Sequence, residues 1–201
     1  MKINQIVELS LPGMYKVTPD EGSAFFIRKE YLFSIDFNAV QAGSEFTVEE
    51  DVSELLDAGL AAAVEFKAIS YLARAEQCHY KLAAKLREKG YEKKYVDMAL
   101  CYLEKINYLS DERFARSWLH ARRINHYEGR SKLLAELQSR GIGRETAQKA
   151  VDEFFTEYDE DEIAAKAYEK FVKHGKSDEK LISSMLTAGF TYKQIKLLQD
   201  K

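Results

Sequence analysis

The chain has 201 residues, of which 46% are hydrophobic and 31% charged, a composition that excludes a disordered tail and leaves room for one large domain or several small modules. No stretch approaches the roughly 18 apolar residues of a membrane span, and the polar start Met1-Lys2-Ile3-Asn4-Gln5 lacks the apolar core of a secretory signal. The net charge of −3 hides an uneven distribution, with −8 over residues 1–65, +8 over 66–144 and −3 over 145–201. Binding answers to the local field, so the middle segment keeps polyanions and acidic proteins open as partners.

The first 60 residues read as a small β-rich module with one helix. Ile3, Ile6, Val7, Leu9 and Leu11 start it, and Pro12-Gly13 marks a turn. Met14 to Thr18 alternates like a half-buried strand, Pro19-Asp20-Glu21-Gly22 turns again, and Ala24 to Ile27 forms a third strand. A short helix is expected by Phe37. Thr47-Val48-Glu49-Glu50 fits a capping box, and Val48, Val52, Leu55, Leu56 and Gly59 then follow helical spacing. The module offers no nucleophile and no phosphate loop, and reads as scaffold or docking surface.

From Phe66 onward the pattern is helical and repeats. Leu82, Leu86 and Gly90 recur as Leu133, Leu137 and Gly141, and again as Leu181, Met185 and Gly189. Glycine at that point is the expected helix stop, because it accepts the left-handed conformation that satisfies the last carbonyls. Val96, Ala147 and Ile195 follow each glycine by six residues, and Leu100 and Val151 follow the first two by ten, which marks a further helix. Thr191-Tyr192-Lys193-Gln194 is a capping box for the last one. Leading helices are expected near 68–76, 113–125 and 163–173. The fold is therefore mainly α: three tandem three-helix-bundle repeats at 61–109, 110–158 and 159–201 behind the module at 1–60. The third repeat is short, as a terminal cap would be, and the acidic run Asp152 to Glu162 reads as a solvated linker or helix end.

One stretch is more specific. Ile106-Asn107-Tyr108-Leu109-Ser110-Asp111-Glu112-Arg113-Phe114-Ala115-Arg116 is a helix stop followed by a start, with Ser110 or Asp111 as cap and Phe114 packing the junction. Together with Tyr127-Glu128-Gly129-Arg130-Ser131-Lys132-Leu133 and the three glycine turns, it resembles the signature of the RecX regulatory proteins over residues 66–201. The acidic module resembles an extension seen on some members. The resemblance implies a cytoplasmic protein that binds the RecA–DNA filament and restrains its ATPase and strand-exchange activities in recombination, DNA repair and the SOS response. It also implies a monomeric chain, no membrane contact, no cofactor and, at most, weak non-specific contact with the single-stranded DNA backbone.

The residues offer a compatible device. Arg113, Arg116, Arg122, Arg123, Arg130 and Lys132 concentrate charge in the second repeat, and arginine's fork pairs carboxylates and phosphates bidentately. Arg113 is either a contact or a structural ion-pair partner; Tyr127 is either an exposed contact or a packed ring. Phe114 and Trp118, four apart, read as core. Cys101, beside Leu100 and Leu103, reads as buried. Cys78 and Cys101 have no ligand spacing with His79, His120, His126 or His174, and two cysteines argue for a reducing compartment. No Walker loop or dinucleotide fingerprint occurs, so the chain reads as a non-enzyme with no metal. Two other readings remain at this point. One is a sequence-specific, helix-turn-helix-like DNA binder, against which no helix joins a basic face to a base-reading set. The other is a helical-repeat adaptor for a different protein.

Overall fold

The computed structural model describes residues 1–199. The described chain divides into two compact units, Met1–Ala75 with Leu82–Leu109, and Glu76–Lys81 with the residues from Ser110 on.

In the first unit, β1 (Ile3–Glu8), β2 (Met14–Pro19) and β3 (Phe25–Arg28) form an antiparallel sheet in the order β1-β2-β3. The registers pair Val7 with Lys16 and Met14 with Arg28. Gly13, at φ 74°, makes the first turn in a conformation that side chains disfavour. Ile3, Met14, Val17 and Ile27 of the sheet pack with Tyr31, Val40 and Phe46 against Leu55, Ala58, Ala61 and Ala62 of α1 (Glu49–Leu72). The small alanines let helix and sheet approach. Gly59 goes further: a Cβ there would lie 2.9 Å from the Phe25 ring. The other face of α1 joins α2 (His79–Glu88) and α3 (Lys93–Lys105) through Val64, Ala68, Leu82, Leu86, Val96 and Leu100.

A buried ion pair ties sheet to helices. Arg28 donates from Nε to Glu65 Oε2 at 2.7 Å and from Nη1 to the Tyr102 hydroxyl at 2.8 Å, and Tyr31 donates its hydroxyl to Glu65 at 2.7 Å. The two charged side chains are 2% and 1% exposed. Burial and the facing Glu65 charge push the Tyr31 hydroxyl pKa upward, so it stays a donor.

The second unit holds α4 (Asp111–Arg123), α5 (Arg130–Gln138), α6 (Arg144–Glu157), α7 (Glu160–Lys173), α8 (Asp178–Thr187) and α9 (Tyr192–Gln199). Its core includes Ala115, Leu119, Leu133, Leu137, Ala147, Val151, Phe154, Leu181, Met185 and Ile195. All three expected glycine stops are helix ends of one form. Gly90, Gly141 and Gly189 sit at φ 89°, 86° and 95°. The next residue's N–H reaches back five residues each time: Tyr91 to Leu86, Ile142 to Leu137 and Phe190 to Met185, at 3.2–3.3 Å.

Four local expectations are corrected or narrowed. The leading helix expected near 68–76 is not a separate element: α1 runs unbroken for 24 residues from Glu49 to Leu72 and includes Gly59, as the helical spacing there predicts. Val48, not Thr47, stands at its N-cap, with no side-chain cap. Cys101 is exposed: α3 buries Val96, Ala99, Leu100 and Leu103, and one step past Leu100 turns the thiol to the opposite side. Of the two readings of the acidic run 152–162, helix end holds and linker does not: only Tyr158 and Asp159 lie between α6 and α7, and Asp159 caps α7 by accepting from the N–H groups of Asp161 and Glu162.

Candidate partner-binding surface

The site begins with the start of α4. Ser110 Oγ accepts from the Arg113 N–H at 3.3 Å, so Ser110 is the cap. Asp111 serves a different helix: its Oδ1 accepts from the His79 N–H at the start of α2, at 2.8 Å. Phe114 and Trp118 pack, partly buried, against the core of this unit, as their spacing predicts.

That register splits the four basic residues of the expected set on α4 between two faces, while Arg130 and Lys132 lie on α5. Arg116, His120 and Arg123 recur at steps of four and three, and so share one face of α4. Arg116 Nε lies 2.8 Å from Glu153 of α6. His120 stacks edge-on with Phe154 and Tyr158. Arg123 lies over the Tyr158 ring, 3.9 Å from its centroid. Arg130, at the start of α5, pairs with Asp152, and with Glu160 at 2.8 Å, and covers the Phe155 ring. Arg113 pairs with Glu76 at 2.8 Å.

Arg122 turns to the other face. It pairs with Glu128 and is 22% exposed. Its guanidinium and that of Arg140 both lie over the Trp118 indole, 5.1 and 4.5 Å from the centroid. Glu136 accepts from Lys132 at 2.9 Å and from Arg140 at 2.6 Å. Lys132 first, then Arg140, draws the Glu136 carboxyl down to about 2. The Glu128 carboxylate likewise holds the Arg122 pKa up. Tyr127 is partly buried against the core, with Lys170 over its ring.

Two contributors were absent from the expected set. Arg140 completes the Trp118 face; its sequence signal is its place one residue ahead of the Gly141 turn. The acids of 152–160 are the second, and they are what orients Arg116 and Arg130. Most groups of these pairs reach water, with Arg116 and Glu153 47% and 43% exposed, while Glu160 is the more sheltered at 23%. Exposed pairs contribute about 0–1 kcal/mol each. A partner's carboxylates or phosphates can therefore replace them at small energetic loss while finding the guanidinium planes already oriented. Among the described residues, no group of three or more His, Cys, Asp or Glu side chains is placed to hold a metal ion. No helix among them is long and apolar enough to cross a membrane.

Comparison with known proteins agrees with this architecture. Residues 110–151 match the family model described as RecX, second three-helix domain. The regulatory protein RecX of Treponema pallidum (strain Nichols) is 36% identical over 111 residues, spanning 55% of this chain and 68% of that one. The regulatory protein RecX of Caldanaerobacter subterraneus subsp. tengcongensis is 24% identical over 195 residues, 97% of this chain and 96% of its own. A crystal structure of a regulatory protein RecX superposes with a TM-score of 0.75 at 20% identity, covering 100% of this chain and 99% of that one. RecX from Lactobacillus salivarius superposes at 0.60, also at 20% identity, over 70% of this chain and 95% of its own. The glycine-turn repeats, the capped Ser110 junction and the relative of which more than two thirds is covered lead to one conclusion: the chain belongs to the RecX family of regulatory proteins.

Proposed function

We propose that this chain regulates the RecA recombinase by binding the RecA–DNA filament and holding down its ATP hydrolysis and strand exchange, in recombination, DNA repair and the SOS response. It acts in the cytoplasm, by binding rather than by catalysis, and a single chain is the unit that engages. The three repeats at 61–109, 110–158 and 159–201 form the binding body behind the module at 1–60, and the second repeat makes the principal contact. The observation that carries this reading is the set of arginines on that repeat, oriented by exposed carboxylates that a partner can displace. Acidic protein surface is the main target, and the single-stranded DNA backbone adds a weak, non-specific contribution that falls as salt rises.

The test is RecA's single-strand-dependent ATP hydrolysis with this protein titrated in at two salt concentrations. Inhibition well below one chain per RecA, weakened at the higher salt, is the expected result. No inhibition at either salt by a folded chain overturns the proposal and favours a helical-repeat adaptor for another protein.

A further inference from the structure

The repeats carry their own joint, and the chain shows it twice. The second helix of each repeat starts at His79, Arg130 or Asp178, in step with the glycine turns. The residue ahead of that start is Cys78, Gly129 or Ser177. Cys78 is buried and donates from Sγ to the Arg140 carbonyl at 3.2 Å. Gly129 donates its N–H to the Ala188 carbonyl at 2.8 Å. Arg140 and Ala188 are equivalent: each immediately precedes the glycine turn of the following repeat. The glycines complete the fit. A Cβ on Gly141 would lie 2.4 Å from Tyr80 Cβ, and one on Gly189 would lie 2.5 Å from the Lys132 nitrogen. In both cases the start of one repeat's second helix seats on the glycine turn of the next.

Two halves of the joint are left over. The turn of the first repeat, at Gly90, has nothing within 4 Å of the position a Cβ would take, whereas its two counterparts are in tight contact. The start of the third repeat's second helix, Ser177 to Lys180, is exposed, whereas Cys78 and Gly129 are buried. Ser177 is small, as the joint requires. The two open halves also differ in net charge: Arg87, Glu88 and Lys89 give one a net of +1, and Asp178, Glu179 and Lys180 give the other a net of −1.

We propose that a second copy of this chain supplies the missing half, with Ser177–Lys180 of one copy seated on the Arg87–Gly90 turn of the next. The joint is head-to-tail, so the patches that meet are different ones and each copy keeps a free end for the next, giving rows or rings of copies rather than a two-copy isologous dimer. It is small and charged at its edges, which keeps it weak and salt-sensitive between free chains and lets it act when copies already lie side by side on an extended partner. The inference stands on the repeat geometry and not on which partner that is.

Sedimentation equilibrium of the full chain at low salt tests it without any partner. A joint this small is weak between free chains, so the weight-average mass should rise at least about 1.5-fold as concentration approaches the millimolar range. The double variants R87E/K89E and D178K/E179K should each lose the rise, and their equimolar mixture should regain it, because each reversed end then meets its complement. Gly90→Asn is the second variant. Asparagine tolerates a positive φ, as Asn107 does in this chain at 56°, so the turn is retained while the joint is filled, and the rise should again be lost. A wild-type chain that stays single throughout, a mass that stops at two copies, or a mixture that fails to associate while both variants remain folded by circular dichroism overturns the proposal.

Discussion

Arg28 and Arg116 are each held side-on by a glutamate, but one pair lies inside the first unit and the other faces water on the second. Arg28 and Glu65 are 2% and 1% exposed, and Tyr31, Tyr102 and the Pro12 carbonyl take up their remaining hydrogen-bonding capacity. Arg116 and Glu153 are nearly half exposed and keep open positions. The same chemistry therefore has two consequences. A buried pair that cannot exchange its partner fixes how the sheet lies on α1. An exposed pair adds little to the fold and leaves an oriented guanidinium open to solvent.

Breaking the buried pair should have the largest effect on stability. Glu65→Leu leaves Arg28 charged and uncompensated, which should cost about 3–5 kcal/mol in urea unfolding. Adding Arg28→Met should recover part of that loss, because no buried charge is then left behind; a double variant no better than the single one would contradict the pair's role in holding the sheet on α1. Gly129→Ala comes next. Its Cβ would meet the Gly189 carbonyl oxygen at 2.4 Å, so a loss of about 1–3 kcal/mol is expected, with no contribution from φ. Gly143→Ala serves as the control: it too is a helix N-cap, but nothing lies within 4 Å, so it should show only the smaller loss of a Gly-to-Ala cap change, about 0.5–1 kcal/mol.

The exposed network should show a smaller effect, visible through pH. The Glu136 carboxyl is depressed from 4.5 to about 2 in the folded chain, so the stability it contributes is present above the unfolded value and is lost as pH falls from about 4.5 toward 2. Wild type should therefore exceed Glu136→Gln in stability at neutral pH, and the difference should shrink across that window. A difference that holds constant down to pH 2 would remove Lys132 and Arg140 as its cause. The smallest effect on the fold is expected for neutralising Arg116, Arg123 and Arg130 to Gln. Each exposed pair contributes about 0–1 kcal/mol, so the melting temperature should move by only a few degrees.

Much of the fold was legible because it depends on backbone punctuation. Three glycines at one offset from paired apolar residues predict three left-handed stops, and all three form with the same returning hydrogen bond. Ser110 and Thr191 were readable as caps for the same reason, and Gln194 and Thr191 do bond each other's backbone N–H groups. Reading failed where a residue's use depends on something distant in sequence. Gly59 was readable only as one more position in a helical pattern, and its use as a packing notch for Phe25 depends on a strand more than thirty residues away. Cys101 looked like core from its neighbours, but helix phase turns it outward. The basic residues of the candidate surface stood out as a local excess of charge, while the division of Arg116 and Arg123 from Arg122 between two faces of α4 follows from register. The acids that hold two of them lay in a run that read as a linker or helix end. Charge density reports that a surface is basic, and only the folded register shows which acids already occupy it.

If the exposed arginines bind the partner and the buried one holds the fold, RecA's single-strand-dependent ATP hydrolysis separates the two roles most directly. It is measured with wild type and with the variant carrying Arg116→Gln, Arg123→Gln and Arg130→Gln. The variant should fold and melt close to wild type yet require at least about tenfold more protein for the same inhibition, a loss of about 1.4 kcal/mol in binding. Equal inhibition by wild type and a fully folded variant would contradict that division and move the contact away from the second repeat.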